Sequence, residues 1–273
     1  MYQKRNILPL LLLCRNISVY GFMVLVWIYF DHTYIWIPIF IILGFLLTSF
    51  TVVMHETCHY TFFKSKILNH ILWRCFALIN FEIFSLYRDW HYWHHSHTVQ
   101  SDDSESEFIF TSRKDFILQN ILYFRSFRVL YDYYDFYIVK RRVPLKKEYL
   151  MDIVLLFIWL LILLILIFIF TVEIFLIYVI PYFISNIFSF TLDLSEHYNT
   201  DHSVGAIEYS QSTRTTRTYP IIKSCLFSIN YHIEHHEKPY VPFFYLEKIY
   251  NKDHKQWENQ GYFKFWIQTF KSL

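Results

Sequence analysis

Residues 150–170 read LMDIVLLFIWLLILLILIFIF, with Asp152 near the start as the sole charge. A helix rising about 1.5 Å per residue crosses the ~30 Å hydrocarbon core of a bilayer over such a length. Working outward, residues 173–194 form a second apolar stretch after the short break Thr171-Val172-Glu173, and residues 7–30 and 35–54 form two more near the N-terminus. Each pair is joined by a tight connection, Asp31-His32-Thr33-Tyr34 in one case and Thr171–Glu173 in the other. The chain is 55% hydrophobic and 22% aromatic over 273 residues, above the roughly 45–50% apolar content of a soluble domain. These patterns predict an all-α, polytopic membrane protein with four transmembrane helices in two hairpins. Arg15, in the opening turns of the first span, is placed to snorkel to the headgroups.

Orientation follows from the basic residues near the span ends. All 25 lie in 1–15, 64–147 or 214–271, and neither hairpin tip contains one. The positive-inside rule therefore places both termini, segment 55–149 and segment 195–273 in the cytoplasm. Residues 67–86 and 116–139 carry apolar positions at helical spacing among charges, the pattern of helices lying in the interface plane. Residues 101–107 (SDDSESE) form an acidic loop, and 198–218 a polar connection. Four scattered cysteines imply no disulfide framework. A net charge of +2 and the absence of a basic, polar domain give no sign of a nucleic-acid partner. No Gly/Ser-rich or Pro-rich linker divides the chain, so 1–273 is expected to form one domain.

Nine of the 14 histidines fall in four groups on the cytoplasmic side: His55 and His59 in HETCH, His91, His94 and His95 in HYWHH, His197 in DLSEH, and His232, His235 and His236 in HIEHH. Residues three or four apart share a helix face, so each triplet aims its rings at a common region. Two adjacent histidines with a third one turn earlier either hold one ion or bridge two. Imidazole suits iron, zinc and copper, and nine ligands are too many for one ion and fit two. A lone histidine is more often a satisfied core or surface residue, and His32, His70, His202 and His254 are read that way. Taken alone, HETCH also fits H-E-x-x-H, in which two histidines hold zinc and Glu56 is a protease base. That chemistry needs one further ligand, whereas two His-x-x-His-His triplets supply six. Asp193 shares a face with His197 and is placed to bind metal through water or to orient an imidazole. Glu56, Asp89, Glu196 and Glu234 each lie beside a histidine group, where carboxylates accept the second N–H of ligating imidazoles.

HETCH, WHYWHHSHT (90–98) and NYHIEHHEKPYVPFFYL (230–246) resemble the three histidine boxes of the membrane fatty acid desaturase superfamily, Asn230 included. TRTTRT (213–218) is similar to a Thr/Arg-rich run that bacterial members carry before the third box, which points to a bacterial inner membrane. The resemblance spans about 51–246. It implies four spans, a cytoplasmic helical cap, and a di-iron centre (Fe2+/Fe3+) held by His55, His59, His91, His94, His95, His197, His232, His235 and His236. It further implies an O2-dependent desaturase acting on a membrane lipid or acyl substrate. His97 belongs to the second motif without being a ligand, and Glu107 loosely matches an acid that follows it. Some relatives carry asparagine where this chain has Asp193. No fused cytochrome motif is present, so electrons are expected from a separate ferredoxin or small b-type cytochrome with its reductase. A lipid hydroxylase or carotenoid ketolase of the same superfamily is the nearest alternative, with an intramembrane zinc protease and a non-catalytic metal-binding or transport protein more remote.

Overall fold

The computed structural model describes residues 2–30, 33–105, 109–121, 131, 133–200, 209–250 and 261–273. Their regular elements are all helices, with no strand among them. Four helices are long and apolar enough to cross a membrane: α1 (Ile7–Tyr29), α2 (Thr33–Cys58), α6 (Lys147–Ile169) and α7 (Thr171–His197). Between the hairpins lie α3 (Lys66–Ile79), α4 (Phe84–His97) and α5 (Arg113–Ile121), with a π-helical turn at Asp135–Val139. After α7 come α8 (Pro220–Cys225), α9 (His232–Glu237), α10 (Phe243–Ile249) and α11 (Tyr262–Ser272).

The four spans are not equivalent. In α2, 72% of the apolar window is buried, against 11% in α1 and in α6. An apolar side chain gains nothing by leaving lipid, so α1 and α6 turn Leu, Ile and Phe outward while α2 forms the axis. Its closest neighbour is α7. A Cβ on Gly44 would lie 2.6 Å from Ile184 Cγ2 and 2.9 Å from the Pro181 carbonyl oxygen. The missing side chain lets the two backbones meet, and the contact is followed by a polar rung from Thr48 Oγ1 to Ser185 Oγ at 3.0 Å. Pro181 offers no N–H to the carbonyl one turn earlier. That carbonyl, on Ile177, accepts instead from the Tyr20 hydroxyl at 2.5 Å, within a π-helical stretch at Phe175–Val179.

Both α2 and α7 run past their expected ends, 54 and 194, to reach the cap. Their C-termini meet there, so the two hairpin tips lie together at the opposite end of the bundle. The expected single helix at 67–86 is instead two helices bent by 99°. The break is built by Asn80, whose side chain donates to the Phe76 carbonyl at 2.7 Å and accepts from Thr51 at 2.7 Å, and by Phe81 at φ 57°. Buried Asp152 then fixes the start of α4: its Oδ2 accepts from the Ser85 N–H at 3.0 Å and the Ser85 hydroxyl at 2.6 Å, and its Oδ1 from Arg74 Nε at 3.0 Å. A carboxylate at a helix N-terminus is favoured by the exposed amides and the dipole.

Arg15 does not snorkel. Its guanidinium donates to Ser224 Oγ and the Ser224 carbonyl, and Asn16 Nδ2 donates to the Cys225 carbonyl, so α1 supplies the C-terminal cap of α8. The core beneath the cap is aromatic, with Phe62, Phe63, Trp73, Tyr87 and Phe227 all fully buried. His70 stays outside the site, its ring against Trp73 and its Nε2 3.1 Å from the Tyr60 hydroxyl. Residues 122–130 and 132 of the expected helix at 116–139, the 201–208 part of the polar connection, and His32, Glu107, His202 and His254 lie outside the described residues.

Candidate metal centre

The structure gathers all nine histidines into two adjoining groups, His55, His59, His91, His95 and His235 in one and His94, His197, His232 and His236 in the other. Within each group the candidate donor atoms lie no more than 4.8 Å apart. His55 sits in the last turn of α2, His59 in the turn that follows it, and His197 closes α7. The two triplets are divided in the same way. In α4, His91 and His95 serve one group and His94 the other; in α9, His232 and His236 serve one and His235 the other. Helical geometry explains the split. At about 100° per residue, positions i and i+4 diverge by only about 40°, whereas i+3 lies about 60° to the other side of i. The adjacent pair in each His-x-x-His-His is thus splayed across both groups.

Nitrogen–nitrogen spacings test whether a metal fits. His91 Nε2 is 3.0 Å from His59 Nε2 and 3.1 Å from His95 Nε2, and His95 Nε2 is 3.2 Å from His235 Nε2. In the second group His232 Nε2 is 3.0 Å from both His197 Nε2 and His236 Nε2. Two nitrogens held at right angles by one ion at about 2.1 Å lie about 3.0 Å apart. In both of its Nε2 contacts His91 can only accept or ligate. Its Nδ1 is 2.7 Å from Glu105 Oε1 and therefore carries the proton, which leaves a lone pair on Nε2. His94 is fixed likewise, its Nδ1 2.7 Å from Asp103 Oδ1, and its buried Nε2 finds no hydrogen-bond partner among the described residues. Lone pairs converging on a point call for a cation.

Electrostatics prepare the rings for that role. Burial, reinforced by neighbouring imidazoles, pushes His59, His91, His95, His232 and His236 well below the ordinary histidine range, and His235 to about 3. These rings are neutral at pH 7 and their lone pairs are available. At His94 burial acts in the same direction, but Asp103 and Glu105 outweigh it and raise the ring to about 9. A cation arriving there displaces a proton.

The carboxylates around the groups only partly match the sequence reading. Glu56 Oε1 faces Nδ1 of His55 at 3.4 Å and of His235 at 3.9 Å, and Glu196 Oε2 faces His232 Nδ1 at 3.5 Å. Asp193 lines the cavity beside His197. Three of the expected residues have partners elsewhere. Asp89 is held by Arg88, Lys146 and the Tyr149 hydroxyl, because it points to the α6 side of α4, away from the face carrying the histidines. Glu234 accepts from Thr215 at 2.6 Å, and Asn230 bonds the Thr216 backbone, so both bind the 213–218 segment. Asp103 and Glu105, which orient two rings, went unsingled within the acidic loop; their signal was a run of acids beginning four residues after WHYWHHSHT. His97 stacks on Trp93 outside both groups.

Beside the histidines lies a small cavity of about 70 Å³, bounded by His55, His91, His197 and His232 and by Thr48, Val52, Leu192 and Ile229. Its bundle side mixes Val52 and Leu192 with the hydroxyls of Thr48, Thr51 and Ser189, and candidate ligands edge the other side. No curated protein matches the chain in sequence. Residues 19–268 match the fatty acid desaturase family, described as "Fatty acid desaturase". With the match covering far more than half its length, the chain belongs to the fatty acid desaturase family, oxidoreductases of the desaturase and hydroxylase type.

Proposed function

We propose that the protein is an O2-dependent desaturase that introduces a double bond into the acyl chain of a lipid or acyl carrier, using two iron ions held by the nine histidines. The observation that carries this reading is the division of those histidines into groups of five and four that share α4 and α9 beside a small cavity at the end of the bundle. Five imidazoles exceed the four positions of a tetrahedral zinc site, and zinc has no redox chemistry with which to attack an unactivated C–H bond. Bound iron would supply the two-electron oxidation that dioxygen drives. The chain's own residues do the rest. Glu105 and Asp103 keep the His91 and His94 lone pairs directed at the ions, and Tyr87 stacks on His91 at 5.5 Å to fix its ring. Thr48, Val52 and Leu192 limit how far a chain can advance.

Glu56 argues against the zinc-protease alternative. It is fully buried, accepts from Thr61 at 3.2 Å, and lies outside the cavity wall, so no water in that cavity reaches it as a base. Hydroxylation or ketolation uses the same ligand set and is separated by product. The basic residues on the cap side favour a cytoplasmic active site and cytoplasmic termini, and TRTTRT favours a bacterial inner membrane. Electrons are taken to come from a separate ferredoxin or small b-type cytochrome. Iron analysis of the purified protein should give about two ions per chain. Fatty acid methyl esters of expressing cells should gain a double bond that is lost in His235→Ala. Zinc alone, or inserted oxygen in place of unsaturation, would overturn the assignment.

A further inference from the structure

The face of α4 turned away from the candidate ligands carries Asp89, Trp93 and His97, each four residues from the next. Trp93 and His97 are half-buried, and their rings stack at 4.0 Å with 3° between the planes. This stack is wired to a candidate ligand. Trp93 precedes His94 in the chain, and its indole N–H donates to the Asp102 carbonyl at 3.0 Å. The next residue, Asp103, sets its carboxylate 2.7 Å from His94 Nδ1. Bonds therefore run without a gap from a solvent-reached aromatic pair to an imidazole, and electrons tunnel more readily along bonded atoms than across space. His95 and His236 stack at 4.3 Å across the boundary between the two groups, which joins one group to the other.

The surroundings of the stack are basic and lie off the bilayer. Asp152, Glu148, Lys146 and Arg142 meet α4 at Ser85, Arg88, Asp89 and Trp93 in turn. Hence α4 runs against the approach to α6 and climbs about 12 Å between Ser85 and Trp93. That places Trp93 on the aqueous side of Lys146. In the exposed 140–147 segment, KRRVPLKK, Arg142 lies over the Trp93 ring at 5.4 Å. Lys140, Arg142 and Lys146 each pair with an acid, whereas Arg141 and Lys147 are exposed and have no ion pair among the described residues. Tyr92 and Tyr209 also approach the site, their hydroxyls donating to the Cys58 and His95 carbonyls. Neither ring has a lysine or arginine over it among the described residues, so an acidic partner selects the Trp93 edge.

We propose that a one-electron carrier with an acidic face, an iron–sulfur or haem protein, docks against Arg141 and Arg142 and passes its electrons through the Trp93–His97 stack to His94. The proposal rests on the di-iron reading above. In each encounter the carrier's cluster or haem iron loses one electron and one ferric ion gains it. No bond forms or breaks, no proton moves, and a second encounter reduces the second ion. Electron-transfer encounters bury little surface, so so small a patch suffices.

The iron-loaded full chain, under argon and without lipid substrate, is mixed with reduced plant-type ferredoxin, and loss of ferric absorbance is followed by stopped flow. Dithionite, which needs no docking, reduces a parallel sample. We expect Trp93→Leu to lose most of the ferredoxin-driven reduction while keeping its iron content and its dithionite rate. Trp93→Phe, which keeps the stack but not the indole N–H, should fall between. Arg141→Gln should weaken ferredoxin binding up to about fivefold at low salt, and Lys64→Gln, which removes equal charge elsewhere, should not. High salt should abolish the difference. Equal ferredoxin rates in Trp93→Leu and wild type overturn the proposal, as does loss of reduction in an iron-replete Tyr209→Leu chain. Unchanged binding in Arg141→Gln, the result for an arginine covered by lipid headgroups, overturns the docking site. A wild-type chain that holds no iron ends the function reading itself, and iron analysis reveals that before any rate is measured.

Discussion

Replacing Asp103 by Asn should weaken metal binding at the four-histidine group and spare the five-histidine group. Asp103 Oδ1 faces His94 Nδ1 at 2.7 Å and accepts from the Glu105 N–H at 3.0 Å, while Oδ2 accepts from the Val99 N–H at 2.5 Å. All three partners are donors. An amide therefore sets its NH2 against an N–H in either orientation, and the negative charge that orients His94 is lost. A charge-assisted bond is worth about 1.5–3 kcal/mol, which agrees with the roughly 10–100-fold loss of affinity seen when a carboxylate behind a metal-bound imidazole is removed. Anaerobic titration with Fe(II) against a chelator of graded strength should show two ions per chain in the wild type and about one in Asp103→Asn at intermediate free iron. Asp89→Asn is the control, since Asp89 bonds Arg88, Lys146 and Tyr149 and no imidazole. It should lower thermal stability while leaving both ions bound. Unchanged iron affinity in Asp103→Asn, or an equal loss in Asp89→Asn, would refute the assignment of these two acids.

Gly44→Ala should destabilise the α2–α7 contact by about 1–3 kcal/mol, because the new methyl meets Ile184 and a backbone oxygen; a melting temperature in detergent equal to the wild type's would contradict that packing. Asp152→Ala leaves the α4 N-terminus uncapped and Arg74 without its carboxylate, at about 3 kcal/mol or somewhat less for a pair with one half-exposed member. Thermal unfolding and iron content should both fall, and loss of neither would count against the latch. Metal binding should release close to one proton at pH 7–8 from His94, whose ring is held at about 9. Below that value affinity at the four-histidine group should drop as pH falls, since the proton competes with the ion. Calorimetry in buffers of different ionisation enthalpy measures this, and zero proton release would remove it.

Much of this was legible from sequence because the membrane writes its constraint in one dimension. The apolar block at 150–170 could be nothing but a span, and paired triplets of identical spacing announced a cluster of candidate metal ligands. What sequence could not give was direction. Asp89 and Asp103 are both acids near the second histidine segment; Asp89 lies about 120–160° round α4 from the three histidines, whereas the loop that returns Asp103 to His94 has no period to read. The bend between α3 and α4 was hidden because residues 67–86 keep a helical apolar period across Asn80 and Phe81, where the chain turns through 99°. Arg15 looked like an interface residue for want of knowing that α8, about two hundred positions later, presents open carbonyls beside it. The division of each triplet between two groups was readable in principle from the 100° helical step, but the choice between one shared ion and two needed the positions of α2 and α7.

That division carries a consequence for assembly. His59 and His91 share a group with His235, and His94 shares one with His197 and His236, so each ion ties the first third of the chain to the last. Neither half can build a complete coordination sphere by itself. During synthesis the N-terminal hairpin enters the bilayer long before residues 232–236 exist, which makes metal capture a final, post-insertion event. It also means that either ion by itself would bind the two ends of the chain together, because each group takes rings from both α4 and α9.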